Sequence, residues 1–132
     1  MPAPLGKTPT KRMPDIQVFG MDGSRGTRAA QRFFRERRIV VTYVDLRKRR
    51  IAPAELRRFV DRLGVAALLD DTSRAYREAG LGYMRMADAE IVERLLADAR
   101  LLRLPLVRHG NEVTAGPAEA TWAAWLRSAT GP

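Results

Sequence analysis

The fold is decided by residues 16–44, which read IQVFGMDGSRGTRAAQRFFRERRIVVTYV. The segment begins with a short apolar run, Ile16 to Phe19, which predicts a first strand. It ends in Ile39 to Val44, which is dense in β-branched and aromatic residues and predicts a second strand. The residues between them place the apolar face of a helix at Ala29, Ala30, Phe33 and Phe34. A strand, a helix and a strand within about 30 residues make a βαβ unit, whose two strands we expect to be parallel.

The turn that leads from the first strand into this helix is rich in glycine, serine and arginine. Ser24 is placed to cap the helix, since serine is among the residues that favour this position. The backbone N–H groups of a helix N-terminus also suit a phosphate-like or sulfate-like anion. Asp22 is the alternative, internal acceptor for the same groups. The candidate anion-binding residues are Gly23, Ser24, Arg25, Gly26, Thr27, Arg28 and Arg103.

The remainder of the chain predicts several helices, then a hairpin and a last helix. The helices form an insertion over about residues 53–100, which opens at Pro53. Pro105 is the expected structural proline at the start of a third strand, and Gly110-Asn111 marks the turn to a fourth. The last helix carries Trp122 and Trp125, which we interpret as core anchors.

We therefore expect an α/β fold in the order βαβ, helical insertion, ββα, with a mixed, mainly four-stranded sheet flanked by helices. Residues 15–128 make a single domain in this prediction. Residues 1–14 are polar, basic and proline-rich, which favours a flexible arm. The arm lacks the apolar segment of a signal peptide, and no stretch approaches the roughly 18 apolar residues of a membrane span. We expect a cytoplasmic protein without membrane contact.

The net charge of +9 is concentrated in one part of the sequence. Residues 25–50 contain ten basic and two acidic residues, whereas residues 51–132 contain eleven of each. Four consecutive cations, here called the rim loop, follow the second strand: Arg47, Lys48, Arg49 and Arg50. Parallel strands end at the same edge of a sheet, so this loop is expected beside residues 21–25. The charge predicts a surface for an anionic partner, or a solvated face without a partner.

The chain has no cysteine and one histidine, His109. Disulfides, thiolate metal sites, thiol nucleophiles and thiol redox couples are thereby excluded. The acidic residues show no metal-ligand spacing, so we predict neither a metal nor a cofactor. Aromatic residues are absent from the rim loop, which argues against a groove for single-stranded nucleic acid.

The order and spacing of these elements resemble the arsenate reductase (ArsC) family of the thioredoxin-like fold, which also includes the Spx-type regulators of RNA polymerase. The resemblance extends from Ile16 to about Leu126. It rests on Ile16–Phe19, Ser24–Arg28, Tyr43–Asp45, Pro53–Leu56, Leu68-Leu69, Tyr76–Leu81, Leu101–Val107 and Gly110–Pro117.

The functional positions that the resemblance implies are mostly altered. The family's nucleophilic cysteine falls on Ser24, while the arginine four residues later is retained as Arg28. The second cysteine of Spx-type proteins falls on Thr27, and the proline that commonly precedes the nucleophile falls on Asp22. The oxyanion-binding arginines of the reductases fall on Asp70, Leu104 and Gly116. Arg103 is the candidate substitute for the second of these.

We expect a cysteine-less family member that acts as a non-catalytic binding or regulatory module, with the rim loop facing an anionic partner. Resemblance to Spx-type proteins implies the RNA polymerase alpha subunit as a candidate. The alternative is a glutaredoxin- or thioredoxin-dependent arsenate reductase-like oxidoreductase, in which Ser24 stands in place of a native cysteine. Direct binding of nucleic acid is a third hypothesis. The sequence leaves open whether the protein is an enzyme.

Overall fold

The computed structural model describes residues 16–129, which form a mixed four-stranded sheet with helices on both faces. The strands are β1 (Ile16–Gly20), β2 (Thr42–Asp45), β3 (Leu106–His109) and β4 (Glu112–Ala115). The helices are α1 (Arg25–Glu36), α2 (Pro53–Leu63), α3 (Val65–Leu68), α4 (Arg74–Glu78), α5 (Asp88–Ala97) and α6 (Glu119–Ala129). Two 3-10 turns, Leu81–Tyr83 and Ala99–Leu101, flank α5.

The sheet has the strand order β2-β1-β3-β4. β1 is parallel to β2 and antiparallel to β3, and β3 is antiparallel to β4. The predicted order of βαβ, helical insertion and ββα is thus confirmed. The predicted arm of residues 1–14 lies outside the described residues. Within residues 16–129, no helix has the length and apolar character needed to cross a membrane.

Alternate residues of β1 point to opposite faces of the sheet and so contribute to two hydrophobic cores. Phe19 packs among residues of the helical insertion, including Leu56 and Phe59. Val18 packs on the other face against α1 and α6, where Trp122 is fully buried. The Trp122 ring lies 5.4 Å from the rings of Phe33 and Phe34 between centroids, and its Nε1 donates to Thr114 Oγ1 at 2.9 Å. The interpretation of Trp122 and Trp125 as core anchors is confirmed.

The second strand begins at Thr42, so the prediction that it starts at Ile39 is wrong. The chain leaves α1 through Arg38, whose φ of 59° is in the left-handed region. The N–H of Ile39 still donates to Phe34 O, and the Val40 side chain is 88% exposed. Residues 39–41 therefore link the helix to the sheet and are not part of the strand. Their β-forming composition does not reveal the turn with which the chain leaves α1.

The first turn of α1 lies directly against the entry to β3. Pro105 is buried there, after a cis Leu104–Pro105 peptide bond. A Cβ atom on Gly26 would lie 2.5 Å from Leu104 O and 3.2 Å from Pro105 Cδ. The absence of a side chain at Gly26 is therefore what allows the helix to approach this backbone so closely.

We predict that Gly26→Ala destabilises the fold although alanine is the better helix former. The added methyl group must displace backbone, and overpacking of this kind costs about 1–3 kcal/mol of unfolding free energy. Gly23→Ala is the matched control, because a Cβ there meets no atom within 4 Å. Urea denaturation of both variants measures the difference, and equal stabilities would contradict the close approach.

Candidate functional site

Ser24 is the N-cap of α1, as predicted. Its backbone is extended, and its Oγ accepts a hydrogen bond from the N–H of Thr27 at 3.1 Å. Its carbonyl oxygen accepts the N–H of Arg28 at 3.0 Å. The hydroxyl at the family's nucleophile position therefore has a structural partner within its own helix.

The one histidine lies at the far end of the sheet from Ser24. His109 pairs with Ile16 at the start of β1, whereas Ser24 follows the end of that strand. Four strand steps separate the two ends by about 13 Å. The His109 ring lies instead against Trp125, with 5.5 Å between the ring centroids. An acyl-transfer nucleophile needs a base within hydrogen-bond reach, and His109 does not provide one for Ser24.

Thr27, at the position of the second cysteine of Spx-type proteins, is fully buried. Its Oγ1 accepts the N–H of Met21 at 3.3 Å. Its side chain fills the space in which a Cβ on Gly20 would stand. Thr27 therefore connects the end of β1 to α1 through a hydrogen bond and side-chain packing. Its buried hydroxyl is not accessible to an external anion.

An open groove of about 650 Å³ lies beside the start of α1. Of the candidate anion-binding residues, the structure brings five together along its wall: Gly23, Ser24, Arg25, Gly26 and Arg103. Thr27 and Arg28 do not line it. Arg28 Nη1 donates to the backbone oxygen of Asp22 at 2.7 Å, outside the groove.

The arginines that line this groove are largely engaged by other groups. Arg103 donates to the carbonyl oxygens of Ala67 at 3.2 Å and Leu69 at 2.9 Å, so it does not take the role of a missing family arginine. Arg100 makes two hydrogen bonds to Asp98, which hold the pKa of that carboxyl below its usual value. Only Arg25, among the groove arginines, has no such acceptor in residues 16–129.

Acidic side chains offset the remaining charge of the groove. Asp70, at a family arginine position, lines it and accepts from both the N–H and the hydroxyl of Thr72. Glu119 also lines the groove. Gly116, at another family arginine position, has a φ of 77° and lies where a Cβ would touch the Arg103 side chain. The groove thus lacks the dense positive charge that strong oxyanion binding requires.

The rim loop lies beside the turn after β1, as predicted. Arg47 Nη2 is 3.2 Å from Asp22 Oδ2, and its Nε is 3.6 Å from Asp45 Oδ1. The Tyr43 hydroxyl donates to Asp22 Oδ1 at 3.1 Å. Burial and this hydrogen bond raise the pKa of Tyr43 to about 12. Asp22 therefore faces β2 and does not act as the internal acceptor for the N-terminus of α1.

The four rim-loop cations differ in how far they are neutralised. Arg49 holds Glu55 through two 2.9 Å hydrogen bonds, which keep the pKa of Glu55 below its usual value. Arg47 is paired as described above. Lys48 and Arg50 are exposed, and neither has a carboxylate partner among residues 16–129. These two side chains supply the unneutralised charge of the loop.

Sequence reasoning missed the contact of Asp22 with Tyr43 and Arg47. The signal was present, since Asp22 follows β1 and Tyr43 lies near the end of the neighbouring parallel strand. In addition, Arg100 lines both the groove and a cavity of about 400 Å³ between the rim loop and the end of α5. Its sequence position, within the helical insertion, gave no sign of this.

We predict that Ser24→Ala lowers the free energy of unfolding by about 0.5–2 kcal/mol, because the N–H of Thr27 loses its acceptor. Ser24→Asn retains a capping oxygen and serves as the control, with stability close to that of the parent. Thermal or urea denaturation followed by circular dichroism measures both. If Ser24→Ala is as stable as the parent, the hydroxyl has no capping role.

The structure is similar to several solved proteins at low sequence identity. It superposes on the protein YFFB (PA3664) with a TM-score of 0.76 and 20% identity, covering 84% of this chain and 98% of that one. For an arsenate reductase from Vibrio cholerae the TM-score is 0.74 at 16% identity, over 86% and 98% of the two chains. For an ArsC-related protein from Brucella melitensis it is 0.63 at 17% identity, over 86% and 95%.

A search of the curated proteins returns no match. The structural likeness establishes the thioredoxin-like fold that the order of elements predicted. The family model described as "ArsC family" matches residues 19–125, which is most of the sequence. That span includes the turn at Ser24, and the sequence contains no cysteine. The chain belongs to the ArsC family and lacks its active-site cysteine.

Proposed function

We propose that this chain is a non-catalytic binding module whose rim loop docks an anionic partner. One juxtaposition carries the proposal. The position of the family's nucleophile is used to cap α1, while the adjacent loop presents Lys48 and Arg50 without a carboxylate partner among residues 16–129. The reacting group is absent at this edge of the sheet, and the positive charge beside it remains.

Chemistry supports the non-catalytic part of the proposal. Thiol redox reactions require a thiolate, which a serine hydroxyl cannot replace. Oxyanion reduction also requires cations around the reacting atom, and Asp70, Leu104 and Gly116 occupy the positions that the family resemblance assigns to arginines. Arg103 does not compensate, because its guanidinium donates to backbone carbonyls.

The proposed partner is anionic because the loop's own pairs leave an excess of positive charge. Ion pairs between exposed side chains are worth about 0–1 kcal/mol, so a partner with several negative groups can also compete with Asp22 for Arg47, since both side chains of that pair are exposed. By analogy with Spx-type regulators, an acidic surface of the RNA polymerase alpha subunit in the cytoplasm is the candidate. The charge of the rim loop supports an acidic partner in general and no particular protein.

The alternative function is arsenate reduction by a protein in which cysteine replaces Ser24. The open groove beside Ser24 favours it, although the retained Arg28 lies outside that groove and donates to the backbone oxygen of Asp22. We predict that Ser24→Cys shows no thiol-dependent arsenate reduction above a blank without enzyme, because the groove lacks the cations needed to hold the substrate. The arsenate reductase from Vibrio cholerae is the positive control. Arsenate reduction by Ser24→Cys would contradict the proposal that this chain is a non-catalytic module.

We predict that the parent protein binds immobilised heparin and that the double variant Lys48→Ala, Arg50→Ala elutes at lower salt. The matched control removes the same charge elsewhere, at Arg85 and Arg127, both exposed and without a carboxylate partner in the described part of the chain. Elution of the two double variants at the same salt concentration would show that net charge, and not the rim loop, governs binding.

A further inference from the structure

The exposed face of α1 carries a straight row of arginines, here called the α1 stripe: Arg25, Arg28, Arg32 and Arg35. All four are exposed. Residues three or four apart on a helix are neighbours at about 5–6 Å, and the row extends about 15 Å along the axis. The proposed function makes no use of this charge.

Packing fixes the direction in which the α1 stripe faces. The opposite side of α1 is buried through Thr27, Ala30, Phe33 and Phe34, so the helix cannot turn the arginines inward. None of the four pairs with a carboxylate among residues 16–129. The one acidic residue of α1 is Glu36, which is exposed and lies a turn beyond Arg32. The stripe is therefore a fixed, solvent-facing line of positive charge.

The α1 stripe is continuous with the rim loop. Arg28 donates to the backbone oxygen of Asp22 at 2.7 Å, and the carboxylate of Asp22 contacts Arg47 at 3.2 Å. Asp22 thus lies between the two groups of cations and contacts one arginine of each. We call the combined surface the basic ridge.

The composition of the basic ridge distinguishes between partner classes. Stable protein interfaces have an apolar core, whereas interfaces with nucleic acid are polar and strongly positive. The large hydrophobic side chains that are exposed within residues 16–129 are Val40, Tyr83 and Met84, and none belongs to the ridge. The ridge also has no aromatic side chain on which unpaired bases stack. Arginine's planar fork matches phosphate oxygens, and a linear row suits a linear backbone.

We propose that the basic ridge binds the phosphate backbone of double-stranded DNA without sequence specificity. This inference rests on the proposed function and specifies its anionic partner. Arg32 and Arg35 contact phosphates from the middle and end of α1, and the rim loop extends the contact past Asp22.

The test uses the full chain, a 20-base-pair duplex of random sequence and fluorescence anisotropy between 50 and 200 mM salt. Each phosphate contact contributes about 0.9 to the slope of log affinity against log salt. The double variant Arg32→Gln, Arg35→Gln should therefore lower the magnitude of this negative slope by about 1.8. The control, Arg85→Gln with Arg127→Gln, should leave the slope nearly unchanged. Glutamine keeps the helix propensity close to that of arginine.

A slope that falls equally in both double variants, or in neither, overturns the inference. Polyglutamate and single-stranded DNA of the same length are measured alongside the duplex. Binding of polyglutamate without binding of the duplex refutes DNA as the partner and leaves the proposed function intact. Binding of neither polymer and no retention on heparin refute both.

Discussion

The rest of the structure depends on how the first turn of α1 fits between the end of β1 and the entry to β3. On one side the Thr27 side chain lies against Gly20, and on the other Gly26 meets the backbone at Leu104. Two missing side chains thus permit one close contact, which sets the position of α1 on the sheet. Ser24 completes it by capping the helix. In the family this turn holds the reactive thiol, whereas in this chain its residues pack the first helix against the sheet.

The same turn also determines the positions of the basic side chains of the rim loop relative to α1. Asp22 extends from it toward β2 and contacts Tyr43 and Arg47, which holds the rim loop beside α1. The groove on the other side of the turn is different, because two of its three arginines are engaged: Arg100 by the carboxylate of Asp98 and Arg103 by backbone carbonyl oxygens. A small anion would therefore meet little free charge near Ser24. A large anion would meet unpaired cations along the outer surface, in the α1 stripe and the rim loop.

The fold was predictable because its information is local in the sequence. The strands, the helical insertion, Pro105 and the hairpin at Gly110-Asn111 each follow from periodicity or turn chemistry, and the parallel βαβ unit places the rim loop beside the turn. The start of β2 was not predictable, since the left-handed residue Arg38 and the exposed Val40 depend on how the chain leaves α1. The role of Arg103 was also inaccessible, because its acceptors are carbonyl oxygens more than 30 residues away in the chain.

In the proposed function, binding takes place on the basic ridge and not in the groove beside Ser24. Amide chemical-shift mapping of the full chain with a 20-base-pair DNA duplex tests this claim most directly. We expect the largest shifts along α1 from Arg28 to Arg35 and in the rim loop. Shifts centred on Gly23 and Arg103 in the groove, or no shifts at low salt, would contradict it.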